Sequence, residues 1–248
     1  MKKLEILKER LEECNTSIQE IEKIIMENID YECSIFVYIS RFDDIGNKDS
    51  DFDIYVIGKK ENNQKEQMYK IKEAKCDIEF CSVESIKQLL YKEDNYNIGY
   101  LKFLKRLISS TIIFSNDKDI NSLINIIEEK NIDNLIFNYF KVAANSEYDD
   151  AVNMYRNNDY ICSLSCCYRA VDYLLAAINS KNGKSVCNVK WAPKLMIDNN
   201  GYGNSMLVKD YLKLFVYNEV NDKNLVFSIE KMLKFFTENV NQFSKFLW

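Results

Sequence analysis

YISRFDDIGNKDSDFDIYVIGKK, residues 38–60, packs five aspartates into one short segment. Two of them, Asp51 and Asp53, open "DFDIYVIG" (51–58), an apolar run of strand length. Side chains on a strand alternate faces. Asp51 and Asp53 therefore share one face, and Phe52 and Ile54 point the other way, toward a core. Carboxylates gathered at a strand end repel one another unless a cation neutralises them. The plain alternative is an edge strand whose charges face water and block aggregation. A second run, "CDIEFCSV" (76–83), repeats the arrangement with Asp77 and Glu79. If the two runs are neighbours, four carboxylates converge. Magnesium suits such a place, because it is commonly held by one or two carboxylates plus substrate phosphates.

The surrounding chain supplies the other elements. Leu4, Leu7, Leu11, Cys14, Ile18, Ile21 and Ile25 alternate in steps of three and four, which predicts one amphipathic helix over 3–28. "CSIFVYI" (33–39) predicts a first strand and "STIIFS" (110–115) a last one. Residues 84–91 and 98–108 read as helices, and the polar segment 59–75 reads as a loop or a solvated helix. "NDKD" (116–119) offers helix caps and the best domain boundary. Beyond it the periodicity is helical. Leu164, Tyr168, Val171, Leu175 and Ile178 form one stripe, and Val226, Ile229, Leu233, Phe236, Val240, Phe243 and Leu247 form another. The expected fold class is α+β, a small mixed-sheet domain over 1–116 followed by a helical bundle over 117–248.

Composition narrows the chemistry. The chain has 248 residues, a formal charge of −5 and no histidine. The charge argues against nucleic acid as the main partner. Without histidine there is no Ser-His-Asp triad, no Cys-His pair and no His-ligated zinc, so acid–base work falls to carboxylates, Lys, Tyr or Cys. Eight cysteines without a CxxC pair or a leader sequence read as free thiols. No apolar run long enough to cross a bilayer is evident, and the expected location is the cytoplasm.

The order Ser40, then Asp51-Phe52-Asp53, then Asp77 on a later strand resembles the DNA-polymerase-β-like nucleotidyltransferases. Their signature is a Gly-Ser turn, an Asp-apolar-Asp pair about ten residues on, and a third acidic residue on another strand. The helical half is similar to the partner domain of kanamycin-nucleotidyltransferase-like and minimal nucleotidyltransferase proteins. The resemblance implies that Ser40 holds a nucleoside triphosphate, with Arg41 and Lys48 adding charge. It implies that Asp51, Asp53 and Asp77 ligate Mg2+. Asp77, or alternatively Glu79, would activate an acceptor hydroxyl. Two departures stand out. Ile39 replaces the family glycine and is expected to narrow the pocket. Asp43 and Asp44 fall where the family often has Arg-Gly.

In the helical half, Arg169 and Asp172 read as an i, i+3 surface pair, or as Arg169 facing a cleft between domains. Lys190, ahead of Trp191 and a helix start, is a candidate phosphate contact. Glu147, Asp149 and Asp150 read as a solvated face or a docking place for a cationic acceptor. The implied function is Mg2+-dependent transfer of a nucleoside monophosphate, AMP foremost, from an NTP such as ATP to a hydroxyl of a small molecule. The alternatives are an AMPylating, antitoxin-type enzyme acting on protein, and a nucleotide-binding module that has lost its chemistry. The apolar stripes also allow a homodimer.

Overall fold

The computed structural model describes residues 2–46, 49–59, 66–91, 97–116, 119–185, 188–198, 210–211, 214 and 222–243. The chain divides into two compact units, residues 1–132 and 133–248.

The first unit is built on a five-stranded mixed sheet of order β3-β4-β2-β1-β5. Its strands are β1 (Cys33–Tyr38), β2 (Phe52–Gly58), β3 (Glu66–Ile71), β4 (Ala74–Ser82) and β5 (Thr111–Ser115). β2 and β4 run parallel, with Asp53 opposite Asp77 and Tyr55 opposite Glu79. The other pairings are antiparallel. On one face, Ile35, Val37, Phe52, Ile54, Val56 and Ile78 pack with Leu7, Leu11, Ile21 and Ile25 from α1 (Lys2–Glu13) and α2 (Ile18–Met26). The alternation read from the sequence thus sends Phe52 into this core and Asp53 to the opposite face.

Three expectations are corrected here. The single helix over 3–28 is two helices. Asn15 takes a left-handed conformation (φ 54°), and the Ser17 hydroxyl caps α2 by accepting from the Glu20 amide. The segment 59–75 contains β3, a polar edge strand paired on one side with β4 and carrying Met68 out into water. The division between units lies after Ile132, not at 116/117. The reason is α5 (Ile120–Glu129), which buries Ile120, Leu123 and Ile127 and packs on α3 (Val83–Tyr91) and α4 (Ile98–Ser109) of the first unit.

The second unit is helical: α6 (Ile132–Arg156), α7 (Tyr160–Lys181), a 3-10 turn (Val189–Trp191), α8 (Ala192–Asp198) and α9 (Asp222–Phe243). α7 packs on α8 and α9. Ser163 Oγ donates to the Ala151 carbonyl (2.8 Å), and Asn179 donates to the Ala192 carbonyl (3.0 Å). Both bonds are buried and tie α7 to its neighbours. By length and composition α7 could span a membrane, contrary to the reading of the sequence. Its residues from Leu174 to Ser180 are all buried within the protein. Every described cysteine is a free thiol, as expected. Leu247, Lys48 and the eighth cysteine, Cys187, lie outside the described residues.

Candidate active site

The open face of the sheet and α4 enclose a pocket of about 360 Å³. Asp53 and Tyr55 of β2 line it together with Asp77 and Glu79 of β4. Parallel pairing in register puts all four on one face, two residues apart along each strand. From α4 come Gly99, Lys102, Phe103 and Arg106. The helix starts cleanly because the Asn97 side chain accepts from the Tyr100 amide (2.9 Å). Its apolar positions Leu101, Leu104 and Leu107 are buried, which turns Lys102 and Arg106, one turn apart, to the pocket. Phe103 meets the Tyr55 ring edge-on at 5.2 Å and fixes the wall between them.

Arg106 is the central cation. It donates to Asp53 in a close ion pair, lines the same pocket as Tyr55, and lies 5.3 Å from the centre of the Tyr38 ring. Both side chains of the pair are largely buried, Asp53 17% and Arg106 24% exposed. Burial pushes the Asp53 carboxyl up to about 6, against the pull of Arg106 and Lys102 and with the help of Asp77 and Asp51. Burial also works against the Arg106 charge, but Asp53 and the Tyr55 hydroxyl outweigh it, and its pKa lies above the usual arginine value. Burial raises the Tyr38 and Tyr55 phenols as well, so both stay protonated.

The Ser40 loop takes a different form from the one implied. Ser40–Asp43 is a 3-10 turn. The Ser40 carbonyl accepts from the amides of Ile45 (3.2 Å) and Gly46 (3.1 Å), so the loop closes on itself. Arg41 forks onto Glu13 of α1 (3.0 and 2.9 Å) instead of reaching into the pocket. Asp43 accepts from the Tyr38 hydroxyl (2.7 Å). Ile39 does not narrow the pocket. Its side chain is buried in the core under α1 and α2, and its extended backbone (φ −134°) needs no glycine. Close approach has moved to Gly46, where an added Cβ would come within 2.5 Å of Ser40 Oγ and 2.6 Å of the Arg41 amide.

The expected ligands Asp51, Asp53 and Asp77 are not gathered into one cage. Asp51 is exposed ahead of β2 and does not line the pocket. Among the described residues no three His, Cys, Asp or Glu side chains come together to hold a metal ion. Asp53 and Asp77 provide two carboxylates side by side. Two carboxylates, completed by phosphate oxygens and water, are a donor set that magnesium accepts. Asp53 and Asp77 alone would supply only part of such a donor set.

Sequence reading missed Lys102, Arg106 and Tyr55. In "YLKFLKRLI" the i, i+4 spacing of Lys102 and Arg106 puts both on one helix face, but nothing there says that this face meets Asp53. In the second unit, Arg169 pairs with Glu147 of α6 (2.9 Å), not with Asp172. Asp149 and Asp150 are exposed. Lys190 is exposed and lies 5.1 Å from the centre of the Trp191 ring.

Asp172 carries a consequence of its own. Burial alone raises its carboxyl to about 6. The folded state thus holds this proton more tightly than the unfolded chain. The resulting stability is complete below about pH 4 and is lost as pH rises through about 6. Asp172→Asn is expected to stabilise the protein at pH 8 by about 1 kcal/mol, discounted for partial solvent screening, and to change little at pH 4. Thermal melts at the two pH values check this. Equal shifts at both would contradict it.

No family model matches the sequence, and no curated protein matches it at a significant level. Among solved structures, the chain is similar to the crystal structure of a nucleotidyltransferase-like protein from Exiguobacterium sibiricum. The TM-score is 0.54 at 13% identity, over 91% of this chain and 74% of that one. The chain has a nucleotidyltransferase-like fold.

Proposed function

We propose that the protein is a nucleotidyltransferase that uses the β2–β4 pocket to move a nucleoside monophosphate from an NTP, ATP foremost, to an acceptor hydroxyl. The observation that carries this reading is the register of β2 and β4. It sets Asp53 beside Asp77, with Glu79 one step on, in the same pocket as the cations Lys102 and Arg106. Carboxylates opposite a cationic wall suit a substrate that brings both a metal and a polyphosphate.

In this reading Asp53 and Asp77 hold Mg2+, which supplies charge neutralisation at the phosphates when bound. Lys102 and Arg106 bind phosphate oxygens and resist their motion during displacement. Asp77 or Glu79 accepts the proton of the acceptor hydroxyl as its oxygen attacks the α-phosphorus and pyrophosphate leaves. Tyr55 and Phe103 give the pocket an apolar wall that limits water.

A second reading is favoured by one specific arrangement. The Ser40 loop closes on itself, and Arg41 is committed to Glu13. A module that binds nucleotide without transferring it would tolerate such a loop.

Calorimetry with ATP, GTP, CTP and UTP, each with and without Mg2+, tests the proposal, followed by pyrophosphate release across an acceptor screen. Magnesium-dependent binding with release supports the transferase. Binding with no release under any acceptor supports the module. No binding of any NTP would refute both. Transfer of label to protein in a lysate would mark a protein acceptor in place of a small molecule.

A further inference from the structure

We propose that Arg106 is a built-in counter-cation that keeps divalent metal off Asp53 until a nucleotide brings phosphate for Arg106 to bind. The inference rests on the reading of Asp53 and Asp77 as the metal-holding pair. It adds an order of events and a residue that enforces it.

The argument starts from charge. Asp53 sits beside Asp77 on the neighbouring strand and is largely buried. Two carboxylates so placed need compensation, and the chain supplies it from α4. Arg106 donates to Asp53, lies beside Tyr55 in the pocket wall and sits 5.3 Å from the centre of the Tyr38 ring. These neighbours hold the guanidinium where a cation is needed. A divalent ion arriving alone meets two obstacles. It must bind a carboxylate whose charge is already engaged by Arg106 through Oδ1. It must then share the pocket with a displaced, partly buried guanidinium that has lost its anion, and like charges close together repel.

A metal–nucleotide complex removes both obstacles together. The metal takes over Asp53, and the phosphate chain takes over Arg106. One ion pair is exchanged for two, and no charge is left unpaired. Guanidinium suits this exchange because its planar fork matches carboxylate and phosphate alike. Lys102, one turn away on the same wall, is the second cation in reach of the phosphates. Metal and nucleotide therefore bind with positive coupling, and the coupling runs through Arg106. Tyr38 also links Arg106 to the Ser40 loop, because its hydroxyl donates to Asp43 (2.7 Å). Release of Arg106 frees one side of the ring that anchors this loop.

The test is Mn2+ binding, followed by electron paramagnetic resonance, to wild type, Arg106→Gln and Arg106→Lys, each with and without ATP. Wild type is expected to bind Mn2+ weakly alone and at least about tenfold more tightly with ATP, beyond what ATP itself binds. Arg106→Gln is expected to bind Mn2+ alone about tenfold more tightly than wild type and to gain little from ATP. Arg106→Lys keeps the charge and is expected to keep excluding the ion. It also serves as the folded comparison if the Gln variant melts early. Equal Mn2+ binding by wild type and Arg106→Gln without ATP, in folded proteins, overturns the inference and leaves the metal site standing. Absence of Mn2+ binding in all three proteins, with or without ATP, overturns the inference and the metal site together.

Discussion

Asp53→Ala is expected to weaken Mg2+-dependent nucleotide binding by at least about a hundredfold and to abolish transfer. Asp53 is a largely buried pocket carboxylate, beside a second carboxylate and bonded to the pocket's main cation. Removing it takes away half of the paired donor set. It also strands Arg106, and an unpaired buried charged group costs about 1–3 kcal/mol or more. The alanine variant therefore mixes two effects, and Asp53→Asn separates them. Asparagine keeps an oxygen that accepts from Arg106, so the melting temperature should fall less than in the alanine variant. It removes the negative charge that a divalent ion needs, so metal-dependent binding should be lost just the same. Calorimetry and thermal melts on both variants check this. An asparagine variant that binds Mg2+ and ATP like wild type would reduce Asp53 to a structural partner of Arg106.

Features fixed by short-range pattern were legible in the sequence; those fixed by tertiary partners were not. Alternation along β2 assigned Phe52 to the core and Asp53 to the other face, and the structure places them so. The same rule assigned Asp77 and Glu79, and parallel pairing then brought them beside β2. The break between α1 and α2 escaped because apolar positions packed on the core keep a three–four spacing across it: Leu11, Cys14, Ile18, Ile21. The signal was present in Ser17 and Glu20, which carry the spacing of a capping box. β3 escaped because it lies at an edge, where one partner strand suffices and polar side chains are tolerated. Arg41 read as a phosphate contact because it follows Ser40. Its partner, Glu13, lies 28 residues earlier in the chain, and no local pattern announces it. Arg106 is the same case in reverse. On its helix it is one charge among several, and only the packing of α4 on the open sheet face makes it the counter-cation of Asp53.

Phe52→Ala is expected to cost about 3–5 kcal/mol, the range for deleting a fully buried aromatic ring. Phe52 is fully buried in the core beneath α1 and α2, with the Arg10 guanidinium 5.5 Å from its ring centre. Its deletion leaves a cavity between the sheet and two helices that close the first unit. Asp51 precedes it in the chain and is exposed, so Asp51→Ala should change stability by no more than about 0.5 kcal/mol. Denaturant titration of the two variants compares them directly. The contrast tests more than one contact. Strand side chains have a period of two, and a slip of one residue would exchange the faces of the whole strand. In that case Phe52 would lie toward the pocket, Asp53 would be buried under the helices, and the two deletions would cost similar amounts. A large cost at Phe52 beside a small one at Asp51 fixes the register of β2. That register sets Asp53 against Asp77 and within reach of Arg106, so a stability measurement on two residues outside the pocket decides whether the pocket's chemistry has its residues in place.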